Sequence, residues 1–155
     1  MKIQLLAAGT KAPDWVRGGV LEYQKRMPHE CQLEIKDIPV ARRTKTASID
    51  KLKREEEAKL LQQINKGAHV VAMDRSGTSW STEKLADKLR LWMSEKPLVQ
   101  VLIGGPDGLS DGCLDSADEC WSLSPLTFPH FLVRIVLAEQ FYRAWSITAN
   151  HPYRK

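Results

Sequence analysis

The apolar positions of the chain recur first with the spacing of a strand and then with that of a helix, and the two periods alternate from end to end. Ile3 to Ala8 is a short apolar run that predicts a strand. Pro13 opens a helix reaching about Met27, with Trp15, Val16, Val20, Leu21 and Tyr23 as its apolar positions. Leu33 to Ile38 alternates with period two, as a half-buried strand does, and Pro39 ends it. Val40 to Ala47 is basic and aperiodic, which predicts a mobile loop. Ser48 then caps a helix in which Ile49, Leu52, Leu60, Leu61 and Ile64 recur at helical spacing, ending near Gly67.

The second half continues the alternation. Val70 to Met73 is wholly apolar, as in the middle of a parallel sheet. Ser81 caps a helix through Leu85, Leu89 and Trp92, closed by Pro97. Leu98 to Ile103 is another buried-type strand, followed by Gly104-Gly105-Pro106-Asp107-Gly108. A short helix from about Asp111 leads to a strand Cys120 to Ser124, and the last helix runs from Pro129 to about Ile147. Strands separated by helices predict a single α/β domain over residues 1–155, with a mainly parallel sheet and helices on both faces. Phe131, Leu132, Val133, Ile135, Val136, Leu137, Phe141, Ala144, Trp145 and Ile147 cover most of the last helix's circumference. One sheet cannot bury every face of such a helix, so a symmetric homodimer is expected.

Composition narrows the class. The 155 residues are 43% hydrophobic and 27% charged, which argues against disorder and fibrous repeats. The apolar runs are far shorter than the roughly 20 residues a membrane span requires, so no membrane association is expected. Gln4, Lys11 and Asp14 interrupt the N-terminal apolar run, which reads as a strand rather than a secretion signal. Cys31, Cys113 and Cys120 form no Cys-x-x-Cys pair, so neither a disulfide framework nor a metal site is expected, and a reducing cytoplasm fits best. Residues 1–66 carry 14 Lys and Arg against 9 Asp and Glu, the remainder 9 against 10, so the basic excess is N-terminal. It concentrates around Arg42, Arg43 and Lys45 and from Lys51 to Arg54, a pattern suited to phosphate contacts as well as to a solvated helix face.

Three segments carry candidate chemistry. The glycine turn directly after a buried strand puts backbone amides at the carboxyl edge of the sheet, where open α/β folds bind ligands. It lacks the Gly-x-Gly-x-x-Gly and P-loop patterns. Leu123 to His130 forms a second sheet-edge loop ending at a helix N-terminus, where the helix dipole favours a neutral imidazole on His130. Arg134 lies one turn further on the same face. The tail, Asn150 to Lys155, holds His151, Tyr153 and Arg154, groups that stack on bases or bind phosphate. The bland alternatives are a structural turn, a capping histidine with an arginine paired to a carboxylate, and a frayed terminus.

Taken together, Ile103 to Gly108, Leu123 to His130, Tyr142-Arg143-Ala144-Trp145 and His151-Pro152-Tyr153 resemble the bacterial ribosomal large-subunit RNA methyltransferase H family, of the SPOUT class. The resemblance extends over the full length. It implies a C-terminal trefoil knot, a homodimer, and S-adenosylmethionine (SAM)-dependent methylation of N3 of a pseudouridine in large-subunit ribosomal RNA. It also implies a cofactor site lined by Met73, Gly104, Gly105, Leu123, Ser124, Pro125, Leu126, Thr127 and Phe128. His130 is the candidate base, with Arg143 and Tyr153 as further catalytic candidates and Arg134, His151 and Arg154 as candidates for the RNA. The tail departs from the family's usual pattern at Arg154, where histidine is common. A non-catalytic RNA-binding or ribosome-assembly module and a nucleotide-binding enzyme are the other classes these residues would serve; cofactor binding separates the three.

Overall fold

The computed structural model describes residues 1–40, 44, 46 and 48–154. The basic stretch around Arg42, Arg43 and Lys45, expected to be a mobile loop, lies outside them. Five strands, β1 (Lys2–Ala8), β2 (Gln32–Ile38), β3 (His69–Ser79), β4 (Leu98–Ile103) and β5 (Glu119–Ser122), form one sheet in the order β2-β1-β4-β3-β5. Every pairing is parallel. The helices are α1 (Asp14–Gln24), α2 (Ile49–Gln62), α3 (Thr82–Glu95), α4 (Asp111–Ser116) and α5 (His130–Thr148), and a 3-10 turn at Pro152–Arg154 ends the described chain.

Alternation along the strands sorts the core into two layers. Ile3, Leu5 and Ala7 of β1 face one side with Val99, Val101 and Ile103 of β4, and pack on Val20 of α1, Leu85 and Leu89 of α3, and Leu137, Phe141 and Ala144 of α5. Leu6, Ala8, Ala72 and Leu102 face the other side, against Leu60 of α2 and Cys113 of α4. Helices therefore cover both faces, as the sequence pattern predicts.

The differences have local causes. α2 stops at Gln62 rather than near Gly67 because Gln100, fully buried on β4, captures the chain there. Its side chain donates to the Gln63 carbonyl at 3.0 Å and accepts from the Asn65 amide at 2.8 Å, replacing the bonds a further helical turn would make. α1 ends at Gln24, three residues early, in i to i−3 bonds at Arg26 and Met27 just before Pro28. β3 does not end at Met73 but continues to Ser79 through a bulge, with its register against β5 shifting between Met73 and Thr78. Gly77 is required in that bulge, since a Cβ there would stand 2.7 Å from the Cys120 carbonyl carbon.

α5 packs against both α1 and α3 on its face of the sheet. Gly19 brings α1 so close that a Cβ would lie 2.8 Å from Cδ1 of Ile135. These neighbours cover part of the apolar circumference that the sequence reading assigned to a partner subunit. Phe131, Leu132, Val133, Ile135, Val136, Trp145 and Ile147 still remain only half-buried.

Candidate functional site

The β3 bulge and the carboxyl ends of β4 and β5 converge on a cavity of about 360 Å³. Its floor is the turn after β4. The Gly108 amide donates to the Gly105 carbonyl at 3.0 Å, and Gly108 takes φ +76°, which a side chain would strain. A Cβ on Gly104 would lie 2.5 Å from the Gly108 carbonyl carbon and 2.7 Å from the Leu109 nitrogen, so the turn folds back over the space a side chain would need. Ser110 then caps α4 through a hydrogen bond from the Cys113 amide at 3.3 Å.

The walls come from two loops. The β3 bulge supplies Met73, Asp74 and Arg75, and the β5–α5 loop supplies Leu123, Ser124, Leu126, Thr127 and Phe128. Within the second loop the Ser124 hydroxyl accepts the Leu126 amide at 3.0 Å. Arg75 Nη1 donates to the Thr127 hydroxyl at 2.7 Å and ties the two loops together. His130 and Val133, in the first turn of α5, close the remaining side. The imidazole packs on Phe131 with ring centroids 4.2 Å apart.

Met73, Gly104, Gly105, Leu123, Ser124, Leu126, Thr127 and Phe128 all line this cavity, as the sequence reading expects of them. Pro125 does not; it is exposed at the outer turn of the loop. Asp74, Arg75, Asp107 and Val133 line it without having been singled out. The signal for the first two was the isolated Gly77, which marks a bulge in the polar half of β3, after the apolar run Val70 to Met73.

Arg134 requires a correction. It was expected to reach RNA, yet it is 2% exposed and its guanidinium is committed within the fold. Nη1 pairs with Asp37 at 2.5 Å, Nη2 donates to the Gly9 carbonyl at 2.8 Å, and Cζ lies 5.0 Å from the Phe131 ring. Gly9, at φ +115°, and Asp37 lie at the ends of β1 and β2, so Arg134 fastens α5 to the sheet edge beside His130. The bland alternative, an arginine paired with a carboxylate, describes it.

The remaining candidates gather at the other end of α5. Arg143 Nε donates to Glu139 at 2.7 Å, and the Tyr153 hydroxyl donates to the same carboxylate oxygen at 3.2 Å. The Arg143 guanidinium sits 4.9 Å from the Tyr153 ring, which packs against Tyr142 at 4.6 Å. His151 packs against Trp145 at 5.7 Å, and Arg154 is exposed. Burial, then the neighbouring Tyr23 and Glu139, push the Tyr153 phenol up to about 12, so at neutral pH it is a donor and not a base. The hydrogen bond to Glu139 holds Arg143 firmly protonated. Thirteen residues of helix separate His130 from Arg143, a rise of about 20 Å. One chain therefore does not bring the three catalytic candidates together.

The model of the family described as "Predicted SPOUT methyltransferase" matches residues 1–154. The chain belongs to the SPOUT methyltransferase family. A ribosomal RNA large subunit methyltransferase H from Hahella chejuensis (strain KCTC 2396) is 50% identical over 155 residues, the whole of this chain and 99% of that protein. Solved structures share the fold at low identity. A methylase family protein from Haemophilus influenzae Rd KW20 has TM-score 0.56 and 11% identity, over 96% of this chain and 67% of its own. A Legionella pneumophila protein in complex with bound SAM has TM-score 0.51 and 13% identity, over 94% and 66%.

The side chains of this SPOUT methyltransferase also limit its chemistry. Burial raises the thiol pKa of Cys31 to about 12 and shifts Cys113 and Cys120 upward, so none is a ready nucleophile at neutral pH. Among the described residues no group of His, Cys, Asp and Glu could hold a metal ion, and no helix is long and apolar enough to cross a membrane.

Proposed function

We propose that the chain is a cytoplasmic, homodimeric, SAM-dependent methyltransferase that modifies N3 of a pseudouridine in large-subunit ribosomal RNA, folded as a single domain with a knotted C-terminal half. The observation that carries the reading is the cavity at the β3 bulge and the ends of β4 and β5, in a SPOUT chain that shares half its residues with a ribosomal RNA large subunit methyltransferase H. Its volume and mixed lining suit an adenosyl group: Met73, Leu123 and Phe128 supply apolar walls, and the glycine turn supplies main-chain donors and acceptors. Bound SAM supplies an electrophilic methyl group.

The protein's own work is positioning and proton transfer. His130, at the cavity wall, takes the proton from the imide nitrogen. Arg143, His151 and Arg154 contact RNA phosphate or uracil oxygen, and Tyr153 stacks on a base. Because the tail lies about 20 Å along α5 from His130 of its own chain, a partner subunit's tail completes each site. The half-buried apolar residues of α5 and the exposed Trp15 and Leu21 of α1 provide apolar surface for that partner.

Incubation with labelled SAM and undermethylated ribosomes, followed by mass-spectrometric mapping, tests the reading. Label at one pseudouridine N3 is the expected result. Ribosome binding with no cofactor affinity would instead make the protein an assembly module, and a stable monomer in sedimentation at micromolar concentration would remove the shared site.

A further inference from the structure

The C-terminal turn of α1 meets the C-terminal half of α5 beside the tail, with the Tyr23 and Tyr142 rings 6.4 Å apart. Arg26, just beyond α1, is exposed, and its Nη2 donates to Glu22, a carboxylate that also pairs with Lys25 at 2.8 Å. Among the described residues Glu22 is the one acceptor for that guanidinium, a group with several N–H donors. Its Cζ stands 5.6 Å from the centroid of the Tyr23 ring and 5.9 Å from that of Tyr142. Tyr142 packs in turn on Tyr153, over which the Arg143 guanidinium sits. Each ring of the Tyr142 and Tyr153 pair thus carries a guanidinium, Arg26 from the end of α1 on one and Arg143 from α5 on the other. An exposed ion pair one turn apart contributes little to stability, so the pair with Glu22 does not by itself call for an arginine. Stacking does: a planar guanidinium covers a ring with its face and keeps edge donors for an anion, which an ammonium cannot do. The ion pairs of the cluster set Lys25, Arg26 and Arg143 against Glu22 and Glu139 and leave it cationic, and the exposed Arg154 beside Tyr153 adds to the excess. Rings interleaved with cations are what a single-stranded polynucleotide requires of a surface.

We propose that Arg26 binds an RNA phosphate and extends the substrate surface of the tail onto α1. The proposal rests on the reading of RNA as the substrate, and it adds a contact from a helix to which that reading assigns only apolar surface for a partner subunit.

Arg26→Gln keeps a polar stem beside the rings and removes the charge. Because the side chain is exposed, the variant should melt at the wild-type temperature and bind SAM in calorimetry as the wild type does. Its affinity for undermethylated ribosomes should fall about tenfold at physiological salt, and the slope of log affinity against log salt should become shallower by about one. Arg26→Lys retains the charge but not the fork, so it should recover the slope and only part of the affinity. Arg17, paired with Asp14 in the first turn of α1, is the control. Arg17→Gln removes the same charge farther from the cluster than the screening length of about 8 Å, and its slope should equal that of the wild type. A folded Arg26→Gln protein with the wild-type slope would overturn the proposal, as would an equal change of slope in Arg17→Gln. So would loss in Arg26→Gln of a dimer that the wild type forms in sedimentation, which would place the arginine between subunits. Failure of the wild-type protein to bind ribosomes would instead strike the underlying reading.

Discussion

The two ends of α5 present different surfaces. At the N-terminal end Pro129 and His130 lead into a concave site with a main-chain floor and an apolar wall. At the C-terminal end the Arg143 guanidinium and the rings of Tyr142, Tyr153 and His151 cluster beside the Glu139 carboxylate. A small molecule is enclosed by the first kind of surface, whereas a polynucleotide lies across the second. Between them Leu137, Ala138, Phe141 and Ala144 are fully buried against the sheet and neighbouring helices. A helix anchored in that way cannot bend its ends together, so the separation of about 20 Å is fixed by the core. On the proposed reading, each chain carries both groups of candidate residues but holds them too far apart to act together, so a second copy supplies the missing group.

The sharpest way to break this contrast is to remove the group assigned to the cavity end. Replacing His130 by alanine should lower kcat by about 10² to 10⁴-fold, the usual worth of a positioned general base, with little change in SAM affinity. A variant that retains the wild-type rate at neutral pH would move the proton transfer elsewhere. Truncation after Asn150 acts on the opposite end. It should cost about a hundredfold or more in methyl transfer, from a lost base stack of about 1 to 3 kcal/mol together with lost phosphate contacts. Calorimetry with S-adenosylhomocysteine and sedimentation should be unchanged. Mixing the truncated protein with a His130→Ala protein should restore activity through hybrid dimers, whereas no recovery would mean that each tail serves its own chain.

The cavity end was legible in the sequence because its elements are local. A buried strand followed by a glycine turn, and a loop followed by a helix N-terminus, place their residues at the carboxyl edge of any parallel sheet. The glycine turn and the loop before α5 line the cavity for that reason, whereas Met73 was expected from the family resemblance alone. What escaped depends on contacts between distant segments. Arg134 looks like a surface cation from its own helix, and only the meeting of α5 with Gly9 and Asp37 turns it inward. Glu56 reads as one of three consecutive glutamates on a solvated face until α2 is docked on Gly105. The same limit touches Gly104: the Cβ of a valine there would collide with the backbone of Gly108, so Gly104→Val would deform the turn rather than simply fill the slot.

Arg134 offers a smaller test, directed at stability. Arg134→Met removes a charge-assisted hydrogen bond to Gly9 and the pair with the partly exposed Asp37. A loss of about 1.5 to 3 kcal/mol in urea unfolding is expected, with RNA affinity of the folded fraction unchanged. A variant of native stability with weakened ribosome binding would return Arg134 to the substrate.

The smallest effect should come from the Tyr153 hydroxyl. Tyr153→Phe keeps the ring that packs on Tyr142 and under Arg143, and loses the hydroxyl's contact with Tyr23 and its 3.2 Å hydrogen bond to Glu139, the latter worth about 1 kcal/mol. Activity should fall less than about fivefold, whereas Tyr153→Ala should lose the stack as well, about 1 to 3 kcal/mol. The pH dependence has a definite sign. With its pKa raised to about 12 in the folded chain, against about 10 when unfolded, the phenol contributes stability that is fully present below pH 10 and is lost as pH rises toward 12. Tyr153→Phe should therefore lessen the fall of stability across that window and leave the rate profile between pH 6 and 9 unchanged in shape. An inflection in that neutral range that vanished with the hydroxyl would make Tyr153 the titrating group, and the division of labour between the two ends of α5 would have to be redrawn.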